Sequence, residues 1–377
     1  MIPQWEQDII NSKIRKHIYV IEWLDNNENV LDEVTIDVIS GSMNFDATKS
    51  SRRSCNLILK NLDKEYIPAP NGKVWFNRKL RIKAGYEYGN EQRLLYNQGV
   101  FVLGDPSLYS SPAQKEATIE GLDKWALFDG TISGDLKSKI IIPVGTRVDT
   151  AVKKLVTEVG GESKYIIDSC DVLLPYTLEK EKDGATIASM LEEIGNIVSY
   201  STFFDNNGYF RFRKALKPAD YAITPVDWYY CEAGLYLESN RNLKLKNVRN
   251  SIEVIGATLD NGVVISAVSK DVSDSEFSVG KIGERFKSIS DDNIFTTALA
   301  QDRADWELQQ SIMVAEETQA TIIPNFSHVV ENIINATDAG NGTNGNYLLQ
   351  TMSYDLAFDA QMTLGLWAIR DWRLSTQ

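Results

Sequence analysis

The chain has 377 residues, and its 39 Lys and Arg against 52 Asp and Glu give a net charge of −13 at pH 7. Hydrophobic residues make up 43% and charged residues 24%, as in folded proteins, which excludes disordered, collagen-like and disulfide-scaffold classes. Without a basic excess to displace counterions, the general surface does not favour nucleic-acid binding. The length predicts about two to three domains.

No segment has the pattern of a secretion signal or a membrane span. Charged residues interrupt residues 1–24, and no other window approaches the roughly 20 apolar residues that a span requires. Cys55, Cys170 and Cys231 are odd in number and far apart, which predicts reduced, buried thiols in a protein made in a cytoplasm. Three N-x-S/T sequons occur, but they do not predict glycosylation because no secretion signal is present.

Period-two alternation and β-branched residues predict that most of the chain forms strands. In chain order, these strands are Ile18–Leu24, Asn29–Val38, Cys55–Lys60, Val74–Ile82, Gly99–Leu103, Ala117–Gly121 and Asn196–Phe204. Two turn sequences predict hairpins because Asn and Gly tolerate a positive φ. One ends in Asn-Gly within Phe203–Phe210, and the other is Asp-Asn-Gly within Leu259–Val263.

Helical periodicity occurs in three places. Apolar residues line one face between Arg147 and Val159, and Gly160-Gly161 supplies the end of that helix. A shorter helix over Ile187–Ile194 is expected to end at Gly195. A third helix is predicted over about 290–316, with acidic residues near its start.

Composition changes near 130–134 and 217–225 divide the chain into three predicted domains. Residues 1–135 and 241–377 are β-rich, and the second of these contains the long helix. Residues 136–240 form a smaller α/β domain with the order strand, helix, helix, hairpin. The predicted fold class is therefore mainly β with an α+β portion.

Motifs for cofactor, metal and nucleophile chemistry are weak. Gly340-x-Gly342-x-x-Gly345 matches the dinucleotide fingerprint, but a strand follows where the fingerprint requires a helix, so we interpret it as a hairpin loop. His17 and His328 lie away from any cysteine, which disfavours zinc. No G-x-S-x-G elbow is present, although composition leaves a Ser–His–Asp triad open.

Two groups of acidic residues are candidate sites. One surrounds the second helix and comprises Glu179, Glu181, Asp183, Glu192 and Glu193. It could supply the paired carboxylates of a glycosidase, but charged flanks of an exposed helix are commoner. The other, Asp25–Asp37, lacks the Gly and the final Glu of a calcium loop, since Ile36 occupies that last position, so we interpret it as a turn.

Aromatic residues are numerous, with 8 Trp and 16 Tyr. Trp228-Tyr229-Tyr230 and the Trp367–Trp372 segment could form carbohydrate platforms or subunit contacts. In a β-rich chain such residues more often fill the core or cover an interface, and that interpretation is favoured.

Short segments along nearly the whole chain share their order with the baseplate hub proteins of bacteriophage tails. They are Ser40–Asp46, Ser51–Leu57, Gly99–Leu103, Ile119–Leu127, Pro143–Thr146, Phe204–Gly208, Val248–Gly256, Ile282–Arg285, Gly345–Leu356 and Met362–Leu364. The second segment contains an Arg pair that leads into a strand. The chain therefore resembles this hub family, which includes the hub region of tail-associated lysins.

The resemblance implies a homotrimer in which each subunit carries two tube-like β-barrel domains and a smaller α/β domain. Six barrels would form a pseudo-sixfold ring that joins the sixfold tail tube to the threefold spike, with a central channel through which DNA passes without specific binding. The implied partners are the spike or needle, a distal tail or tube ring and the tape measure protein. The implied location is the virion tail tip, assembled in the host bacterial cytoplasm.

The resemblance also implies a structural protein with no catalytic, cofactor-binding or metal residue. Because the chain stops after the last hub-like strand, lytic or receptor-binding activity is expected on a separate partner. An acidic channel would repel passing DNA. Two alternatives stay open: a tail-tip cell-wall glycan hydrolase or peptidase, and a carbohydrate-binding adhesin.

Overall fold

The computed structural model describes residues 2–12, 15–35, 38–216, 218–231, 234–259, 261–313 and 315–369. Strands account for 43% of the structure and helices for 17%. The prediction of a mainly β protein with some α/β structure is therefore confirmed. None of the described helices is both long and apolar enough to cross a membrane.

The first third of the chain contributes eight strands to the largest sheet. A short helix, α1 (Gln4–Asn11), precedes them, and a 3₁₀ turn at Lys124–Leu127 follows. The strands are β1 (Lys16–Leu24), β2 (Val30–Val34), β3 (Val38–Asp46), β4 (Arg53–Lys60), β5 (Lys79–Tyr88), β6 (Gln92–Leu103), β7 (Ser107–Ser110) and β8 (Lys115–Asp123).

The middle of the chain folds around its own core, which we call the α/β unit (residues 136–214). Its elements are β9 (Ile140–Ile142), α2 (Val148–Lys154) with a π turn at Leu155–Val159, β10 (Tyr165–Ile167), β11 (Leu178–Lys180), α3 (Ile187–Val198), β12 (Tyr200–Phe204) and β13 (Phe210–Lys214). Strands β10, β13 and β12 form a small sheet, and β9 pairs with β11. Trp125 and Phe128, which come just before the unit, are buried in its core.

The last part of the chain returns to the large sheet and adds a small sheet of its own. Its elements are α4 (Pro218–Ile223), β14 (Trp228–Tyr230), β15 (Tyr236–Leu243), β16 (Ser251–Thr258), β17 (Val264–Lys270), α5 (Val279–Ile282), β18 (Phe286–Ser290), α6 (Thr297–Met313), β19 (Glu316–Ile322), β20 (Ile333–Asp338), β21 (Thr343–Asp355) and β22 (Met362–Ala368). Strands β17, β16 and β18 form the small sheet, and α6 packs against it around a third core.

One sheet of 14 strands joins the two ends of the chain. Its main path runs β15-β19-β22-β21-β3-β4-β8-β6-β5-β1-β2. The long strand β21 makes the connection, since Thr351–Asp355 pair with β3, Tyr347–Tyr354 pair with β22 and Thr343–Leu348 pair with β20. Strands β15 and β2 end this path and do not pair with each other in the described parts of the chain. The two β-barrel domains implied by the family resemblance, and the domain boundaries near residues 135 and 240, stay predictions.

Several element boundaries differ from the predicted ones. Residues 74–78 form no strand, and β5 begins only at Lys79, because the Arg78 side chain folds back onto the Gly72 carbonyl in a loop. The strand predicted from Asn29 is interrupted after Val34.

The helix ends also differ. Gly195 lies inside α3, which continues to Val198, because the buried glycine lets the Tyr200 carbonyl approach closely. Ser199 then ends the helix at φ 55°, a left-handed conformation. The third helix starts at Thr297 rather than near 290, since Phe286–Ser290 pairs with β16 as a strand.

Both predicted hairpins and the helix after Arg147 are confirmed. Strands β12 and β13 turn through Asp205–Gly208, and β16 and β17 turn through 259–262, where Asp260 lies outside the described residues. The Gly340–Gly345 motif lies in the hairpin that joins the antiparallel strands β20 and β21. Its first half is in the turn, as predicted, whereas Gly345 already belongs to β21 and pairs with Ala336. Ile36, Asp37 and Lys217 are also outside the described residues.

Candidate functional site

Two ionic clusters, the first buried and the second partly buried, connect the α/β unit to the large sheet. Each is centred on a glutamate with a left-handed backbone, Glu28 at φ 66° and Glu331 at φ 75°. Non-glycine residues rarely adopt this conformation, and it persists only where the surroundings hold it in place. We treat these two clusters, together called the ionic junction, as the candidate functional site.

The first cluster collects ammonium groups around Glu28, whose side chain is 2% exposed. Its Oε1 accepts hydrogen bonds from Lys124 Nζ at 2.6 Å and Lys79 Nζ at 3.3 Å. Its Oε2 accepts one from Lys164 Nζ of the α/β unit at 2.7 Å. Burial raises the pKa of Glu28, but the surrounding ammonium groups lower it further, to about 2.

Lys124 extends this cluster into the α/β unit. Its side chain is 0% exposed, and its Nζ lies 2.6 Å from Glu162 Oε2 and donates to the Gly208 carbonyl at 2.8 Å. The ammonium group thus has three acceptors, which a fully buried cation requires. A loop of the large sheet and two segments of the α/β unit therefore meet at one side chain.

The second cluster joins three parts of the fold at Glu331, in the loop before β20. Arg52 donates to both carboxylate oxygens, at 2.8 and 3.2 Å, and Arg213 of β13 also donates to Oε2. The two guanidinium carbons lie 3.5 and 5.0 Å from the centre of the Phe203 ring. Burial lowers the pKa of Arg52 to about 10, yet it stays charged at neutral pH.

Arg53 makes a third contact between the sheet and the unit. It donates to the Phe204 carbonyl and lies 3.8 Å from Asp123 Oδ2. Asp123 also accepts a hydrogen bond from the Trp125 backbone at 2.9 Å. Burial raises the pKa of Asp123 to about 6. Arg52, just before β4, and Arg53, its first residue, thus contact the adjacent residues Phe203 and Phe204 of β12.

Gly208 offers a direct test of how closely the hairpin packs on the first cluster. Gly208 and Gly262 occupy equivalent hairpin turns, with φ angles of 80° and 79°. A Cβ atom added at Gly208 would lie 3.0 Å from Val100 and 3.3 Å from Glu28. A Cβ atom added at Gly262 would have none of the described atoms within 4 Å. We expect Gly262→Ala to lower the free energy of unfolding by about 1 kcal/mol, through backbone strain alone. We expect Gly208→Ala to lower it by roughly 2–3 kcal/mol.

Urea denaturation of the two variants measures this difference. Because the turns share the same backbone hydrogen bonds, the excess for Gly208→Ala isolates the contact with Val100 and Glu28. Equal losses in the two variants would contradict a tight fit of the hairpin on the cluster.

The acidic group predicted as a possible glycosidase site is divided among separate surface pairs. Glu179 and Glu181 both bind Lys139. Glu193 binds Lys180 and accepts a hydrogen bond from Tyr176, and Glu192 accepts one from Ser50. These separate pairs agree with the favoured interpretation, in which the acidic residues are charged flanks of the second predicted helix, α3.

The two histidines and the acidic turn at Asp25 have surroundings typical of structural residues. His17 lies in β1, and buried His328 lies 2.7 Å from the Tyr230 hydroxyl oxygen. Burial lowers the pKa of His328 to about 3. Asp25 forms the predicted turn by accepting the Asn27 and Asn29 backbone amides. In the described part of the chain, no group of three His, Cys, Asp or Glu is arranged to hold a metal ion.

The aromatic and cysteine predictions are confirmed in part. Trp228 and Tyr230 are buried, while Tyr229 between them is exposed because side chains alternate across the strand. The same alternation exposes Cys231, so the prediction of three buried thiols is wrong for that residue, although Cys55 and Cys170 are buried. Trp372 lies outside the described residues.

Apart from its Arg pair, the ionic junction has no signal in the sequence. Glu28 and Lys124 are 96 positions apart, and Arg52 and Glu331 are 279 apart. Nothing local in the sequence distinguishes these residues from surface charges. The only available signal was the paired Arg52-Arg53 at the start of a strand.

No family model matches the sequence, and no curated protein matches it. Solved structures do match. A tail protein from Neisseria meningitidis MC58 has a TM-score of 0.65 at 13% identity, over 93% of this chain and 96% of that one. The 43 kDa tail protein of prophage MuSo2 from Shewanella oneidensis has a TM-score of 0.63 at 13% identity, over 93% and 98%.

A third match widens the group. The E. coli c3393 protein, described as a type VI secretion component with structural similarity to the T4 tail proteins gp27 and gp5, has a TM-score of 0.54 at 10% identity, over 89% of this chain and 74% of that one. At these identities the likeness concerns the fold. The resemblance to phage tail proteins inferred from the sequence is confirmed at that level.

Proposed function

We propose that this chain is the structural hub of a phage or phage-derived tail. In this role it joins the sixfold tail tube to the threefold spike and surrounds the channel through which DNA passes. The observation that carries the proposal is the fold: two tail proteins, one of them from a prophage, match more than nine tenths of the chain, and more than nine tenths of each of them is matched.

The proposed assembly is a homotrimer at the virion tail tip, built in the host cytoplasm. Each subunit would contribute two barrel-like domains, residues 1–135 and 241–377, with residues 136–240 as the smaller domain. Spike or needle, distal tail or tube ring and tape measure protein are the proposed partners. A load-bearing ring needs subunits that do not flex internally, and the buried ionic junction supports such rigidity.

The role proposed is not enzymatic. The pairing of Glu179, Glu181, Glu192 and Glu193 with separate surface partners supports this, since a glycosidase requires two carboxylates that face each other across a cleft. The net charge of −13 supports a channel that does not retain DNA, because like charges repel the phosphate backbone.

Native mass spectrometry of the purified protein, alone and co-expressed with a candidate spike, tests the proposal. We expect a species of three times 42.4 kDa, about 127 kDa, in at least one sample. Electron microscopy of that species should show a central opening. A strict monomer in both samples, or a trimer without an opening, would overturn the hub assignment.

A further inference from the structure

A cleft of about 300 Å³ lies where the large sheet, the α/β unit and helix α6 meet. We call it the junction cleft. Arg52 and Glu331 line it from the loops of the sheet, Lys214 from the end of β13, and Arg303 and Trp306 from α6. Its volume is at the lower end for ligand pockets, enough for one or two side chains.

The charge of the junction cleft is opposite to that of the chain. Four basic side chains line it, Arg52, Arg213, Lys214 and Arg303, against the single acidic side chain of Glu331. The chain as a whole carries −13. A local basic excess on an acidic protein focuses the field at the cleft and attracts a negatively charged ligand there.

The cleft also contains donors that lack acceptors. Arg52 Nε and Trp306 Nε1 are buried, and neither has a hydrogen-bond partner among the described residues. Buried N–H groups are normally satisfied, so two residues that line the cleft each leave one hydrogen bond unmade. Lys214 is exposed at the rim, and no ion pair or hydrogen bond of its side chain is recorded in the described structure.

The walls between these donors are apolar and aromatic. Tyr221, Leu348 and Trp367 line the cleft together with Trp306. The Arg303 guanidinium lies 5.1 Å from the centre of the Trp306 ring, and Glu307 accepts its hydrogen bonds. An apolar wall next to unpaired donors suits a carboxylate side chain beside a hydrophobic one. A bare phosphodiester chain would leave the apolar wall uncovered.

From this arrangement we infer that the junction cleft binds an acidic peptide segment of a partner protein, with a carboxylate at the Lys214 and Trp306 end and a neighbouring apolar side chain against Leu348 and Trp367. The segment would contact all three parts of the fold at once. The cleft lies within one subunit, so this inference goes beyond the proposed hub function and does not depend on trimer formation.

Fluorescence anisotropy at low salt tests the inference with a labelled eight-residue peptide of alternating Glu and Leu. We expect binding that disappears when every Glu of the peptide is replaced by Gln. Lys214→Glu should weaken binding about tenfold or more, since it replaces an attractive charge with a repulsive one. Trp306→Phe, which keeps the ring but removes the N–H, should weaken it roughly three- to tenfold.

Lys182→Glu is the matched control, because Lys182 is another exposed lysine of the α/β unit and does not line the junction cleft. Its affinity should equal that of the unaltered protein, and all variants should melt at the same temperature. No binding of the acidic peptide, equal binding of the Gln peptide, or equal loss in Lys182→Glu would overturn the inference. Tighter binding of an eight-nucleotide single-stranded DNA would overturn it in favour of a phosphate site.

Discussion

Glu28→Gln is expected to lower the free energy of unfolding by about 3 kcal/mol, because removing one partner of a buried ionic group leaves the other charges uncompensated. The amide keeps the size of the side chain but no longer balances Lys124, which is 0% exposed, or the nearby Lys79 and Lys164. Glu162 still faces Lys124, so the loss is large without abolishing folding. Urea denaturation at pH 7 measures the change.

The same variant should change how stability depends on pH. The pKa of Glu28 is about 2 in the folded protein, below its ordinary 4.5, so the folded state binds this proton less readily than the unfolded state does. The stabilisation is therefore fully present above pH 4.5 and is lost as the pH falls from 4.5 to 2. The difference between the unaltered protein and Glu28→Gln should shrink over that interval.

Asp123 acts in the opposite direction, which makes the comparison between variants necessary. Burial raises its pKa to about 6, so its contribution to stability falls as the pH rises from about 4 to 6. Asp123 is present in both proteins, so most of its effect cancels in the difference; the remainder comes from its coupling to Lys124. A difference that stays constant from pH 6 to pH 3 would show that the Glu28 charge does not stabilise the fold.

Glu181→Gln provides the control for charge removal. Glu181 is 67% exposed and shares Lys139 with Glu179. Exposed pairs contribute little to stability, so the urea midpoint should not move. An equal shift in Glu181→Gln and Glu28→Gln would mean that net charge, and not the buried cluster, determines the stability.

Local patterns in the sequence predicted the elements well where a single face is buried. Strand β4 alternates between buried and more exposed positions along Arg53–Lys60, which is the pattern that period-two hydrophobicity predicts. Prediction was poorer where a distant contact decides the structure. Asn196–Val198 have β-branched and polar residues that suit a strand, but packing of α3 keeps them helical up to Ser199.

The ionic junction could not be predicted for a similar reason. The acidic residues that stand out in the sequence are close along the chain, such as Glu179 and Glu181, and closeness along the chain mostly indicates a shared surface. Glu28 and Glu331 are single charges in turns, and only the folded structure brings lysines and arginines to them. Arg52-Arg53 stood out by their resemblance to a family pattern, without any indication of their partners.

Glu331→Gln is expected to lower the free energy of unfolding by about 3 kcal/mol, because Arg52 is 4% exposed and loses both of its charged hydrogen bonds. Arg213 is half-buried and loses the same partner. Urea denaturation measures the loss, and Glu33→Gln is the control, since Glu33 forms an exposed pair with Arg93 at 3.7 Å.

A double variant separates the buried charge from the shape of the site. Replacing both partners of a buried pair with uncharged groups is often close to neutral, because no ion then stays in an apolar environment. Glu331→Gln combined with Arg52→Met should therefore recover part of the stability lost in Glu331→Gln, with Phe203 packing against the methionine chain in place of the guanidinium. The recovery is partial because Arg213, whose side chain is 31% exposed, still lacks its carboxylate partner. If the two residues act independently, Arg52→Met will lower the stability of Glu331→Gln by as much as it lowers the stability of the unaltered protein. That result would mean that the junction is not a coupled ionic cluster.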